Sequence, residues 1–149
     1  MSVIDEYFKN TISRDLAYLI CDNQIGRGSA REVWSVNPIF GESLVLKIED
    51  ATRSFQNIYE WRIWNDFKNI EGIGEWLCPC VAISACGTIL VQRRVDLIHK
   101  KPEKVPAWLS DVKMENLGMY EGRVVVLDYG TATLSMEVDL VDAEWVGGA

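Results

Sequence analysis

Leu109-Ser110-Asp111-Val112-Lys113-Met114-Glu115-Asn116 runs straight into Leu117-Gly118-Met119, a Glu121-Gly122 pair, and Val124-Val125-Val126-Leu127-Asp128-Tyr129-Gly130. The first stretch is polar and reads as a loop. The second reads as a β-hairpin, because two apolar runs flank a turn pair ending in glycine. Asp128 closes an apolar strand, so its carboxylate has an unsolvated neighbour on one side and calls for a cation. Taken singly, a polar loop and an Asp-Tyr-Gly turn are commonplace. Their order and what precedes them carry the information.

Upstream, 19–25, 31–36 and 43–48 are short β-rich runs punctuated by Gly26, Gly28 and Gly41, with a turn at Asn37-Pro38. This predicts three antiparallel strands. Thr52 is a candidate N-cap for a helix over 52–68 that carries Phe55, Ile58, Trp61, Trp64 and Phe67, and Gly72 and Gly74 end it. The runs 81–85 and 88–92 flank Cys86-Gly87 as a hairpin, which brings the sheet to five strands. Tyr7, Phe8, Ile12, Leu16 and Leu19 recur at helical spacing over 5–19, predicting an amphipathic helix that lids a sheet edge. Residues 96–104 read as a polar connector, 107–109 as a short turn of helix, and the alternation Leu134, Met136, Val138, Leu140 as an extra strand.

A length of 149 residues matches one domain with an ordinary core. Hydrophobic content of 48% beside 25% charged residues marks a folded globular chain. A formal charge of −7 argues against a phosphate-contacting nucleic-acid surface, and Glu137, Asp139, Asp142 and Glu144 read as a solvated acidic tail. Basic residues interspersed through the chain weaken an alternative reading as a nucleic-acid mimic. Cys78-Pro79-Cys80 with Cys86 lacks the paired spacing of a zinc site, and His99 is distant, so the four cysteines are expected as buried thiols of a cytoplasmic protein. Residues 1–10 lack a signal-peptide core, and no apolar run reaches the roughly 18 residues that a membrane span needs.

Several segments, in one order, resemble the motifs of the protein kinases. Gly26, Gly28 and Val33 fit the glycine-rich loop G-x-G-x-x-G-x-V, with Arg31 where the third glycine belongs. Leu44-Val45-Leu46-Lys47 is similar to the V-A-I-K strand, and Glu60 stands on the following predicted helix as the partner of its lysine. Residues 109–116 are similar to the catalytic loop at Asp111, Lys113, Glu115 and Asn116, and Asp128-Tyr129-Gly130 to D-F-G.

The resemblance implies an α+β fold: a kinase-like small lobe with a five-stranded antiparallel sheet and one main helix, plus a truncated large lobe of short helix and β-hairpin. It divides the single minimal domain into an N-terminal helix (1–19), a small lobe (20–95) and a reduced large lobe (96–149). It also implies ATP and Mg²⁺ as cofactors. Lys47 and Glu60 would hold the phosphates, Gly26 and Gly28 would cover them, and Val33 and Val45 would sandwich adenine. The backbone of Gln92, Arg93 and Val95 would meet the adenine edge. Asn116 and Asp128 would hold metal, Asp111 would orient the attacking hydroxyl, and Lys113 would neutralise the transferring phosphoryl.

The departures from the pattern are as informative. Leu109 and Ser110 replace the histidine and arginine before the catalytic aspartate, so switching by a phosphorylated activation loop is not expected. Little chain lies between the predicted hinge at 92–95 and Asp111, and no A-P-E-like motif follows Gly130, so the peptide-docking helices of the family are not expected. The expected activity is therefore phosphoryl transfer to the chain itself or to a dedicated partner. The alternative is a catalytically silent module that inhibits or decoys a cellular protein. In either case a partner or self-association is expected to cover apolar surface, with neither nucleic acid nor membrane involved.

Overall fold

The computed structural model describes residues 15, 17–28, 30–40, 43–49, 54–110, 112–130, 132 and 138–145. They form an α+β fold with one five-stranded antiparallel sheet and few helices. The chain divides into two compact units, 1–58 with 80–94 and 59–79 with 95–149. The change of unit at Arg94–Val95 falls inside the predicted hinge. The segment 59–79, expected with the small lobe, groups with the C-terminal unit.

In the first unit, β1 (Cys21–Arg27), β2 (Arg31–Val36), β3 (Leu44–Glu49), β4 (Cys80–Ile83) and β5 (Ile89–Arg93) lie in the order β1-β2-β3-β5-β4. Side chains alternate between the faces of a strand, so the register sorts them. One face carries Trp34, Val36, Leu44, Leu46, Ile48, Ile89 and Val91, and helical residues at 17–20 pack on it through Ala17, Tyr18 and Ile20. The expected lid thus sits on a face of the sheet and not on its edge. The Tyr18 ring meets Trp34 edge-on at 5.2 Å, and both Tyr18 Oη (2.7 Å) and Trp34 Nε1 (3.2 Å) donate to Glu32 Oε2. The rest of the predicted helix at 5–19 lies outside the described residues. The opposite face holds Val33 across from Lys47 and Leu90, and Ser35 across from Val45, Gln92 and Cys80.

The main helix is Gln56–Phe67, shorter than the predicted 52–68. Phe55 has φ 59°, a left-handed conformation that an aromatic residue rarely adopts, and it stops the helix from extending backward. The Asn57 N–H finds its acceptor in Glu49 Oε1 at 2.7 Å; Thr52, the expected cap, lies outside the described residues.

The second unit holds two smaller sheets. β6 (Asp96–Leu97) pairs with β8 (Leu117–Tyr120), which pairs with β9 (Arg123–Val126), while β7 (Lys104–Pro106) pairs with β10 (Leu140–Asp142). The β8–β9 turn has positive φ at Glu121 (48°) and Gly122 (79°), as a two-residue turn of primed type requires. The expected connector at 96–104 therefore contains β6 and the start of β7; two or three residues per strand leave no alternation to read. The short helix expected at 107–109 is a turn closed by Leu109 N–H to Pro106 O at 3.0 Å. Among the described residues, this unit's helical content beyond the main helix is the 3₁₀ turns Gly74–Trp76 and Met114–Asn116. Of the predicted strand at 134–140, residues 134–137 lie outside the described residues, and β10 starts at Leu140.

Trp34, Trp61 and Trp64 are half-buried. No disulfide joins the four cysteines; Cys78 and Cys80 are buried, and burial pushes the Cys21 thiol pKa up, keeping it protonated at neutral pH. Among the described residues, no helix is long and apolar enough to cross a membrane.

Candidate functional site

The predicted phosphate-end residues of the first unit converge on one sheet face. Gly26 pairs with Val33, and Val33 with Lys47, so glycine, valine and lysine form a row across three strands. Lys47 is 4% exposed and Val45 6%, while Val33 is half-buried. A lysine so deeply placed in an apolar strand requires compensation, since a buried ammonium must be paired or hydrogen-bonded. Gly28 N–H donates to Arg31 O at 2.8 Å and closes the β1–β2 turn. That amide is used by the turn itself. Gln92 is buried, with Nε2 3.6 Å from Cys80 Sγ, and Arg93 pairs with Leu44 at the end of β5.

Arg31, at the third glycine position, is 5% exposed, and its Nη1 donates to Asn57 Oδ1 at 3.1 Å. Asn57 is fully buried, and its Nδ2 donates to Lys47 O and Thr88 O, each at 3.0 Å. Neither residue was legible as part of the site: Arg31 read as a departure from the pattern, and nothing in the sequence singled out Asn57. The available signal was a bulky cation where the pattern wants no side chain.

In the second unit, residues far apart in sequence meet around Asp128-Tyr129-Gly130. Glu60, fully buried on the main helix, accepts the Tyr129 N–H on Oε1 at 2.9 Å. Asn116, 4% exposed, accepts the Asp128 N–H on Oδ1 at 2.9 Å, and its backbone carbonyl accepts the Leu127 N–H at 2.9 Å. The strand into this tripeptide is held from the other side by Cys78 N–H to Val126 O (3.0 Å), a parallel bridge between Leu77 and Val126, and Arg123 Nε to Glu75 O (2.9 Å). Tyr129 Oη donates to Cys78 O at 2.7 Å. This bond explains tyrosine where the pattern has phenylalanine: it satisfies a buried carbonyl. Tyr129→Phe is accordingly expected to cost about 1–2 kcal/mol in urea unfolding.

The loop before Asn116 is anchored by buried Leu109 and Val112, with Ser110 and Lys113 exposed; Asp111 lies outside the described residues. Val95 packs on Gly118, where a Cβ would collide with its side chain. Asp128 is exposed, so the burial argument for a counter-cation does not apply to it. What the site retains is geometry, a carboxylate and an amide oxygen on adjoining backbone. Among the described residues, no three His, Cys, Asp or Glu side chains gather as a metal site. A magnesium ion fits this donor set, because it binds through one or two protein oxygens and completes its shell with water and phosphate. Comparison with protein-family models gives no match, and comparison with curated proteins gives none either.

Proposed function

We propose that the chain binds Mg·ATP in the manner of a reduced protein kinase and transfers the γ-phosphoryl group to a protein hydroxyl, on itself or on one dedicated partner. The observation that carries this reading is the Glu60–Tyr129 hydrogen bond. It ties the glutamate predicted to partner Lys47 to the tripeptide predicted to hold metal, a linkage that neither motif needs if it is an unrelated helix charge or turn. The Asn116–Asp128 bond supports the reading, since it joins the two predicted metal ligands.

On this reading Lys47 and Glu60 hold the phosphates, and Val33 and Val45 contact adenine, whose edge meets the backbone of Gln92, Arg93 and Val95. Asn116 and Asp128 hold magnesium, and Lys113 offsets charge on the transferring group. Asp111 takes the hydroxyl proton as that oxygen bonds to the γ-phosphorus and ADP leaves. Ile39, Phe40 and Leu97, at 80%, 54% and 77% exposure, are apolar surface for a protein partner or a second copy.

Incubation with radiolabelled ATP tests transfer. The wild-type chain, alone or with a candidate partner, is expected to yield labelled protein, and Asp111→Ala to lower the rate by roughly 100-fold or more. Equal labelling of both, or of neither, removes the enzyme. A second reading, a catalytically silent module that inhibits or decoys a cellular protein, is favoured by one contact: the Gly28 amide, wanted by a bound phosphate, already closes its own turn. A wild-type chain that neither binds Mg·ATP nor yields labelled protein selects it.

A further inference from the structure

Arg31 occupies a position where the phosphate-loop pattern wants no side chain, yet it is one of the most deeply buried cations of the sheet. Its Nη1 donates to Asn57 Oδ1 at 3.1 Å, and the carbonyl of Arg31 accepts the Gly28 N–H that closes the turn. Asn57 meets four groups on three segments at once. Its oxygen takes Arg31, its two amide protons serve the carbonyls of Lys47 and Thr88, and its backbone N–H goes to the Glu49 carboxylate. Arg31 and Glu49 are themselves cross-strand partners, and Glu49 N–H donates to Thr88 O at 2.9 Å. No other side chain type of this size supplies two donors, one acceptor and a helical amide at one point.

We infer that Arg31 and Asn57 form a clamp that acts as a positioning device for the phosphate end of the site, fixing the β1–β2 turn, the backbone of Lys47 and the start of the Glu60-bearing helix before any ligand arrives. The inference rests on the nucleotide reading for its purpose, but the clamp itself is a property of the first unit alone. A third glycine would leave the turn free to order only when phosphate binds. The arginine makes that ordering part of folding, so less conformational freedom is lost on binding. Neither residue touches the nucleotide in this scheme.

Amide hydrogen exchange on the full-length chain, together with calorimetric titration of Mg·ATP and of adenosine, decides it. Arg31→Met keeps the stem and removes the donor; Arg31→Lys keeps the charge and is the milder variant should the first fail to fold. The clamp predicts exchange at least roughly tenfold faster at Asn57, Ile58 and the 28–32 turn, with the β8–β9 amides unchanged, and Arg31→Lys intermediate. It also predicts a loss of about tenfold in Mg·ATP affinity with adenosine affinity unaltered, the size of one charge-assisted hydrogen bond. Acceleration spread evenly over both units, no acceleration at the helix start, or equal losses for both ligands would overturn it. If the wild-type chain binds neither ligand, the nucleotide reading fails, and the exchange pattern alone then upholds or rejects the clamp.

Discussion

Millimolar Mg·ATP is expected to raise the melting temperature of the wild-type chain by roughly 5–10 °C, and Lys47→Met or Asp128→Asn to abolish the rise. A ligand that binds only the folded state at 100 times its dissociation constant adds about 2.7 kcal/mol, and a chain of this size gains about 2–4 °C for each. The two variants are informative for different reasons. Lys47 is 4% exposed, so methionine preserves most of its volume and apolar stem while deleting the charge. Asp128 is exposed, and its backbone N–H, which asparagine retains, is the group bonded to Asn116. Asp128→Asn retains that bond, and the melting temperature of the unliganded variant, measured beside the shift, separates lost binding from lost structure. Differential scanning fluorimetry with and without Mg²⁺ measures both terms. A wild-type chain that shows no shift at millimolar Mg·ATP would remove the nucleotide from the account.

Glu60→Leu is expected to cost about 2–4 kcal/mol of folding stability, and Glu60→Gln less than about 1.5. Glu60 is fully buried and Tyr129 is 1% exposed, so leucine strands a buried N–H without its acceptor. Glutamine keeps the oxygen and the shape. The same pair of variants divides structure from chemistry, because the nucleotide reading needs the carboxylate charge of Glu60 beside an ammonium. Glu60→Gln should fold almost normally and bind Mg·ATP more weakly. Urea unfolding supplies the first measurement and calorimetry the second; near wild-type stability in Glu60→Leu would mean that the bond to Tyr129 contributes nothing.

Strands with clear punctuation were legible. The boundaries of β2 matched residue for residue, and β3, β5, β8 and β9 fell within a residue of expectation, because glycine and Glu-Gly turns fix where an apolar run must stop. β6, β7 and β10 were not, since a two- or three-residue strand is defined by the partner that it pairs with and carries no periodicity of its own. The helix start failed for a related reason. Thr52 has the chemistry of a cap, but Phe55 takes a left-handed φ, and a glutamate on a neighbouring strand supplies the acceptor for Asn57.

The order Gly26, Gly28, Lys47, Glu60, Asn116, Asp128 was determined by sequence alone, as was the hairpin that delivers Asp128, because charge type and turn chemistry are written locally. Only the tertiary structure decided what Arg31, Asn57 and Tyr129 are for. Each is a polar side chain whose role is the carbonyl or carboxamide it satisfies in the interior, and those partners stand 26 residues away for Arg31 with Asn57, 31 for Asn57 with Thr88, and 51 for Tyr129 with Cys78. A buried polar group must find its complement somewhere in the folded chain. The sequence specifies the need, and the packing of distant segments chooses the partner.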